Sequence, residues 1–259
     1  MSNYKTVLVT GASAGFGKSI CETLAQNGYK VVALARRSEK LQELATKFKE
    51  QIYPLSLDLR DVDDTLDILK KIPDEFKPID VLVNNAGLAL GVDRAQNCNM
   101  QEWKTMVDTN ITGLLAITNA VLPQMVERNC GYIINLGSTA GAWPYLGGNV
   151  YGATKAFVEQ FSRNLRCDTA NTAVKVSVIK PGLCSDTEFS YVRLHNDKEK
   201  VAQVYADTDA ILPQDIADTV LWLLNTPKHL NINAIEMMPV CQTYGGLSVT
   251  RNLDLNKKY

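Results

Sequence analysis

Short runs rich in β-branched and other apolar residues recur along the chain, and longer amphipathic stretches separate them. The runs cover residues 5–10, 30–35, 52–57, 79–84, 132–137, 174–180 and 234–238. Apolar runs of this length are typical of parallel strands that are buried on both faces. Helices are predicted between them, near 16–28, 39–50, 61–72, 100–128, 150–170 and 214–225. The alternation predicts right-handed βαβ units that form one doubly wound parallel sheet of about seven strands, with helices on both faces.

The chain has the size and composition of one α/β domain. Its 259 residues are 46% apolar and 21% charged, and no internal linker is visible. We therefore expect a single-domain, Rossmann-like fold over residues 1–240, followed by a C-terminal tail at 241–259. Residues 183–212 fit no βαβ unit either, and a loop of this length in a compact domain predicts a lid.

Composition and charge argue against several classes of protein. The net charge of -1 comes from well-mixed signs, without the basic stripe that a nucleic-acid partner requires. The longest early apolar run, Val7 to Val9, is too short for a signal peptide or a membrane span, so no membrane partner is expected. Six scattered cysteines without a Cys-x-x-Cys pair favour reduced thiols and a cytoplasmic location. His195 and His229 stand at no ligand spacing, so no metal site is expected.

A glycine turn follows the first predicted strand and opens the first predicted helix. Glycines let the backbone approach phosphates, and a helix N-terminus supplies unpaired N–H groups and partial positive charge. The spacing is Gly-x-x-x-Gly-x-Gly, and a tight connection alone would also explain such a turn. Its place after strand one favours a pyrophosphate site made of Gly11, Ser13, Ala14, Gly15, Phe16 and Gly17.

Three further segments end at the same predicted edge of the sheet. Arg36 and Arg37 stand where a site for the unphosphorylated dinucleotide would carry an acid. Because arginine forks suit a 2′-phosphate, the pair predicts NADP as cofactor, with a solvated arginine pair as the alternative. Asp58, beside Leu59, is explained by an adenine contact or by a helix N-cap. The segment after the fourth strand either holds backbone groups beside the ribose or makes a turn, and its candidate residues are Asn85, Ala86 and Gly87.

Tyr151 and Lys155 carry the chemistry. On a helix, their separation of four residues puts both side chains on one face, with the ammonium near the phenol. A nearby cation is expected to lower the pKa of the tyrosine from about 10 toward working pH. Such a tyrosine donates a proton to a ketone oxygen as hydride arrives at carbon, and Ser138 would give that oxygen a second hydrogen bond. The pattern indicates hydride transfer between a nicotinamide and a carbonyl.

These motifs, together with Asn110 and Pro181-Gly182, resemble the short-chain dehydrogenase/reductases from residue 4 to about 239. The resemblance implies a catalytic tetrad. In it Ser138 orients the substrate oxygen, Tyr151 is the acid/base, Lys155 also holds the nicotinamide ribose, and Asn110 supports a water relay to Lys155. From the residue alone, Asn110 is equally an asparagine that bends its helix or faces solvent. The last expected cofactor contacts are Pro181, Gly182, Leu183 and Thr187.

Longer stretches are similar to one subgroup, the NADP-dependent 3-hydroxy acid dehydrogenases, which include serine and allo-threonine dehydrogenases and malonic semialdehyde reductases. They are Gly11–Gly17 with Arg36-Arg37, Asn84–Val92, Gly137–Lys155 and Asn231–Val240. Membership implies interconversion of short 3-hydroxy acids, of the serine, allo-threonine or 3-hydroxypropionate type, and their 3-oxo acids or semialdehydes in a homotetramer. The chain departs from the subgroup at Cys184, Ser185 and Asp186, where small residues are expected. An added carboxylate beside the nicotinamide leaves the exact substrate open.

The carboxylate of a 3-hydroxy acid must meet a cation near the reacting carbon. Arg193, in the predicted lid, is the candidate, and a surface arginine on a mobile segment is the alternative. A 3-oxoacyl carrier-protein reductase shares the fold, cofactor and tetrad, but it must dock an acidic carrier, and the lid shows no obvious basic cluster. A redox-sensing NADPH-binding regulator would not need the tyrosine, lysine and serine.

Overall fold

The computed structural model describes residues 4–244, and within them seven parallel strands form one sheet. The strands lie side by side in the order β3-β2-β1-β4-β5-β6-β7. The predicted α/β fold, a Rossmann-like single domain, is confirmed. The strand bounds are β1 (Thr6–Thr10), β2 (Lys30–Ala35), β3 (Ile52–Ser56), β4 (Val81–Asn84), β5 (Gly131–Leu136), β6 (Val174–Pro181) and β7 (Ala234–Met237).

Helices cover both faces of the sheet, because successive strand residues point to opposite sides. In β1, Val7 and Val9 pack in the apolar layer that contains helix residues such as Leu24, whereas Leu8 packs in the other layer, with Ile117. The helices are α1 (Gly15–Gln26), α2 (Ser38–Lys47), α3 (Val62–Lys70), α4 (Met100–Val107), α5 (Gly113–Glu127), α6 (Asn149–Asp168), α7 (Phe189–Arg193), α8 (Lys198–Tyr205) and α9 (Pro213–Leu224).

The long helix predicted near 100–128 is interrupted. A π-helical turn at Asp108–Thr112 separates α4 from α5, and it contains the buried Asn110. Turns of this kind are often found at functional sites.

The predicted lid at 183–212 contains the two short helices α7 and α8, and a bridge between Cys184 and Ile211 closes its base. The backbone N–H of Gly91 donates to the carbonyl of Arg193 at 2.9 Å, which docks the end of α7 on the segment after β4. Of the predicted tail at 241–259, the part from 245 lies outside the described residues.

Within the described part of the chain, no helix is both long and apolar enough to cross a membrane. The same residues hold no group of three or more acidic, histidine or cysteine side chains that could bind a metal ion.

Candidate active site

The carboxyl ends of the strands open into a cavity of about 720 Å³. Ligands bind at this edge of the sheet in open α/β folds. Every predicted site residue lines the cavity except Gly17 and Asn110, which contribute from behind its wall.

The glycine turn has the geometry of an anion cradle. Gly11 has a φ of +67°, and a Cβ on it would lie 3.0 Å from the Cα of Ala86. A Cβ on Gly17 would collide with the carbonyl oxygen of Gly11, so the turn requires glycine at both positions. In the described structure, α1 begins after Ala14 with neither a side-chain cap nor an acid in its first turn. Its N-terminal N–H groups therefore suit a pyrophosphate.

Arg37 is tied to this turn. Its Nε and Nη2 donate to the hydroxyl of Ser13 at 3.2 and 3.0 Å, and its Nη1 and Nη2 donate to the carboxylate of Glu188 at 3.0 and 2.8 Å. Arg36 is looser, because its side chain is 61% exposed and its Nη1 lies 3.9 Å from Asp58. Of the two cations, Arg37 is the one that the fold places against the phosphate cradle.

Asp58 also lines the cavity, but it does not cap a helix. The residue that precedes α3 is Asp61, so the N-cap interpretation of Asp58 is wrong. Its carboxylate instead accepts from the backbone N–H of Arg60 at 3.1 Å and forms an ion pair with the Arg60 guanidinium. These contacts with Arg60 hold the pKa of Asp58 below its usual range.

The segment after β4 is fixed to β1 by hydrogen bonds. Asn85 donates from Nδ2 to the carbonyl of Thr10 at 2.8 Å, and the Thr10 hydroxyl accepts from the backbone N–H groups of Asn85 and Ala86 at 3.0 and 2.9 Å. Asn84 is buried and donates to Thr118 and Asn135. This frame brings Gly87 beside Lys155, since a Cβ on Gly87 would lie 3.4 Å from the Lys155 Nζ.

Tyr151 and Lys155 face the cavity from α6, and Ser138 faces it from the end of β5. The Lys155 ammonium donates to the carbonyl of Leu136 at 2.8 Å and lies 5.9 Å from the centre of the Tyr151 ring. The Ser138 hydroxyl donates to the carbonyl of Pro181 at 3.4 Å and accepts from the backbone N–H of Ala140 at 3.1 Å. Ser138 and Tyr151 thus both line the cavity in which a carbonyl oxygen would be received.

Burial decides the protonation of both helix residues. It raises the pKa of Tyr151 to about 12, and the Ser138 hydroxyl and the charge of Arg193 offset the increase only in part. Burial also lowers the pKa of Lys155, to about 8. The predicted lowering of the tyrosine pKa is therefore wrong for this geometry. The lysine ammonium is directed at the Leu136 carbonyl, and burial favours the neutral phenol.

Asn110 does not face solvent; it is only 2% exposed. Its Oδ1 accepts from the backbone N–H of Leu88 at 2.9 Å, and its Nδ2 donates to the Leu88 carbonyl at 2.8 Å and to the Thr154 hydroxyl at 3.0 Å. Through Asn110, the π-helical turn is thus joined to the segment after β4 and to Thr154 of α6, which stands between Tyr151 and Lys155 in the sequence.

Arg193 reaches the cavity from the end of α7. Its guanidinium carbon lies 5.7 Å from the centre of the Tyr151 ring, and its Nη2 donates to the Tyr145 hydroxyl at 2.8 Å. A third contact, from Nε to the Gly91 carbonyl, measures 3.3 Å. The fold places this cation beside the candidate acid/base rather than on a distant surface.

The loop residues Cys184 and Asp186, which depart from the expected subgroup pattern, lie in two different places. Cys184 lines the cavity, and burial raises the pKa of its thiol to about 12, so the neutral thiol is favoured. Asp186 is exposed and lines a neighbouring cleft, so the expected carboxylate beside the nicotinamide is not there. Its φ of +54° lies in the left-handed region, which aspartate adopts more often than most residues with a side chain.

Several contacts within the cavity wall are not predicted by the sequence motifs. Glu188 holds Arg37, and Tyr145 holds Arg193. Gln242 accepts from the backbone N–H of Leu183 at 2.7 Å, and the Tyr244 ring lies 4.5 Å from that of Trp143. Each contact joins segments far apart in the chain, and no local pattern signals it.

A nucleotide-dependent dehydrogenase is defined by this fold together with the glycine turn and the helix that carries Tyr151 and Lys155. The chain belongs to the short chain dehydrogenase family, whose sequence profile matches residues 5–198. Its relatives include the NADP-dependent 3-hydroxy acid dehydrogenase YdfG of Escherichia coli K12, which is 54% identical over 95% of this chain and 99% of its own length. The serine 3-dehydrogenase of Agrobacterium fabrum is 45% identical over 95% of this chain and 98% of its own length. A solved closed form of serine dehydrogenase, complexed with NADP+, superposes with a TM-score of 0.94 at 53% identity, covering 95% of this chain and all of that one.

Proposed function

We propose that this protein is an NADP-dependent oxidoreductase that interconverts short 3-hydroxy acids and their 3-oxo acids or semialdehydes. The names of its relatives support both the cofactor and the class of substrate. The cofactor, when bound, would supply the hydride as NADPH in the reducing direction and accept it as NADP+ in the oxidising direction. The glycine turn and the N-terminus of α1 bind its pyrophosphate, and Ser13, Arg36 and Arg37 bind its 2′-phosphate. Its remaining contacts come from Asp58, Leu59, Asn85, Ala86, Gly87 and the loop at Pro181, Gly182, Leu183 and Thr187.

The chain's own residues handle the proton. Tyr151, whose buried phenol is protonated at neutral pH, donates to the substrate oxygen in the reducing direction and accepts the proton back in the oxidising direction. Ser138 gives the same oxygen a second hydrogen bond, where negative charge develops. Lys155 binds the nicotinamide ribose, and its pKa near 8 lets it release and regain a proton near working pH. Asn110 fixes the position of the π-helical turn, and a water relay to Lys155 would pass along this turn.

The position of Arg193 is the observation that carries the choice of substrate. A cation 5.7 Å from the ring of the acid/base tyrosine is where an acid with its carboxylate two carbons from the reacting carbon would find a partner. The planar guanidinium suits a bidentate grip on that carboxylate. A substrate without the carboxylate would leave this cation without its main ligand.

The test compares 3-hydroxypropionate with 1,3-propanediol, which has similar size and no charge. We expect Arg193→Ala to lower kcat/KM for the acid by a factor that corresponds to a loss of about 1.5–3 kcal/mol of transition-state stabilisation. The value of kcat/KM for the diol should change little. Arg94→Ala, which removes an exposed arginine of the segment after β4, is the matched control and should affect neither substrate. Equal losses on acid and diol would mean that Arg193 only shapes the lid. Faster turnover of 3-oxoacyl thioesters than of the acids would favour the carrier-protein reductase instead.

We propose a homotetramer that acts in the cytoplasm, with residues 1–240 as the catalytic domain and about 183–212 as its substrate lid. All six cysteines lie in the described residues and are free thiols, which supports the location.

A further inference from the structure

Arg37 and Glu188 form a two-pronged ion pair across the mouth of the cofactor site. Arg37 follows β2, and Glu188 directly precedes α7, the first helix of the lid. The two carboxylate oxygens accept from Nη1 at 3.0 Å and from Nη2 at 2.8 Å. The pair therefore fastens the lid to the segment that carries the candidate 2′-phosphate ligands.

The pair uses the donors that a 2′-phosphate would need. On its other edge, the Arg37 guanidinium already donates to the Ser13 hydroxyl from Nε and Nη2. Of its five N–H donors, the contacts with Ser13 and Glu188 together occupy four. A phosphate that reaches Arg37 next to Ser13 meets the Glu188 carboxylate at the same guanidinium, and the two anions repel each other.

We propose that Glu188 is a specificity-determining residue that occupies Arg37 until the 2′-phosphate of the cofactor displaces it. The proposal rests on the proposed NADP-dependent function and adds a competitor that belongs to the chain itself. A dinucleotide without the 2′-phosphate leaves the Arg37–Glu188 pair in place, whereas NADP breaks it. The pair therefore lowers the affinity for NADP and leaves that for NAD unchanged, while the state of the lid differs between the two bound cofactors.

The position of Glu188 connects this displacement with the substrate side of the cavity. Glu188 precedes the first residue of α7, and Arg193 is the last residue of that helix. Release of Glu188 frees the beginning of the element whose end carries the candidate ligand for the substrate carboxylate. Binding of the 2′-phosphate is therefore coupled to the placement of Arg193.

Partial exposure keeps the pair weak enough to displace. The Arg37 and Glu188 side chains are 41% and 55% exposed. Pairs exposed to this degree contribute modestly, because solvent screens them and both side chains lose freedom. Exchange of the carboxylate for the phosphate is then favourable, because a phosphate carries about −1.5 to −2 charges and a carboxylate carries one.

Binding of two nucleotide probes to the full chain tests the proposal. We expect Glu188→Gln to bind adenosine 2′,5′-bisphosphate about twofold to fivefold more tightly than the wild type does, measured by calorimetry at low ionic strength. Adenosine 5′-monophosphate, which has no 2′-phosphate, should bind both proteins equally. Glu43→Gln is the matched control, because it also removes an exposed, paired carboxylate, and it should leave both affinities unchanged. Unchanged or weaker binding of the bisphosphate to Glu188→Gln would overturn the proposal.

Hydrogen exchange supplies a readout that does not depend on affinity. In α7 and just after it, the N–H groups of Val192 and Leu194 donate to the carbonyls of Glu188 and Ser190. The bisphosphate should speed their exchange in the wild type, and the monophosphate should not. In Glu188→Gln the exchange should already be fast without ligand. Exchange in the wild type that the bisphosphate leaves unchanged would also overturn the proposal.

Arg37→Ala separates this proposal from the cofactor assignment. If Arg37→Ala loses preference for the bisphosphate over the monophosphate while Glu188→Gln behaves as the wild type does, the NADP site stands and the role of Glu188 is rejected. If the wild type itself binds the two probes equally, the assignment of the 2′-phosphate site fails.

Discussion

At the scale of single residues, burial sets the chemistry of the tyrosine and lysine. Tyr151 is 8% exposed and Lys155 is 7% exposed, so each side chain favours its neutral form more than it would in water. A neutral phenol is a proton donor without further adjustment, which suits reduction of a carbonyl. In the oxidising direction the same phenol must first lose its proton, and the nearby charge of Arg193 helps that loss.

Tyr151→Phe should separate chemistry from binding. The ring packs against Phe189 with centres 5.6 Å apart, and phenylalanine keeps this contact while it removes the proton donor. We expect kcat to fall by about 10²–10⁴ while the affinity for NADPH, followed by fluorescence titration, stays the same. Tyr53→Phe, which removes a phenol that binds the Lys71 carbonyl, should leave both quantities unchanged. Lost NADPH binding with normal residual turnover would contradict the assigned role.

The stability of Lys155→Met relative to the wild type should depend on pH. The pKa of Lys155 is about 8 in the folded protein and about 10.4 for a lysine in an unfolded chain. Between these values the unfolded state binds more protons at this residue, so the lysine's contribution to stability rises with pH. Below pH 8 the cost of burying the ammonium is fully present. The advantage of Lys155→Met in unfolding free energy, measured by urea denaturation, should therefore shrink from pH 7 to pH 10. A constant difference would contradict the lowered pKa.

At the scale of elements, the sequence locates strands better than it locates breaks and lids. The bounds of β1, β2 and β4 differ from the predicted ones by at most two residues, because an apolar run that is buried on both faces is a local signal. The break between α4 and α5 has no such signal. It depends on the hydrogen bonds between Asn110 and Leu88, whose place is set by β4. The helices of the lid are too short for a periodic pattern, and their docking depends on contacts such as the one between Arg193 and Gly91.

Replacing Asn110 with leucine tests whether this amide holds the elements together. The change keeps the approximate volume but leaves the Leu88 N–H and carbonyl without their side-chain partner. We expect the free energy of unfolding to fall by about 1–3 kcal/mol. Asn164→Leu, an exposed position of α6, is the matched control and should change it by less than about 0.5 kcal/mol. Equal effects at the two positions would mean that the turn does not depend on the Asn110 amide.

At the scale of the whole molecule, the candidate site joins segments from both ends of the described chain. The cavity is lined by Gly11 near the beginning and by Tyr244 at the end of the described residues. Motifs identify the residues whose spacing is local, such as Tyr151 and Lys155. They do not identify Glu188, whose partner stands 151 positions away, because that contact exists only after the sheet has formed.

The proposed tetramer requires a contact surface, and the β7 edge of the sheet and helix α9 both offer one. Among the described residues β7 pairs with β6 alone, so its other edge presents unpaired backbone groups. The last helix of the described residues, α9, also presents Trp222, which is 54% exposed. Large aromatic side chains are enriched in the buried centres of interfaces, and we therefore expect α9 to lie in a contact between subunits.

Trp222→Glu should reduce the molar mass measured by light scattering after size-exclusion chromatography, because a charge in that contact cannot be desolvated without cost. Met100→Glu is the matched control: it places the same charge on a side chain that is 71% exposed at the beginning of α4, and it should leave the mass unchanged. Circular dichroism should show that both variants are folded. A Trp222→Glu protein with the wild-type mass would remove α9 from the interface, and a wild type that is monomeric at micromolar concentration would contradict the tetramer itself.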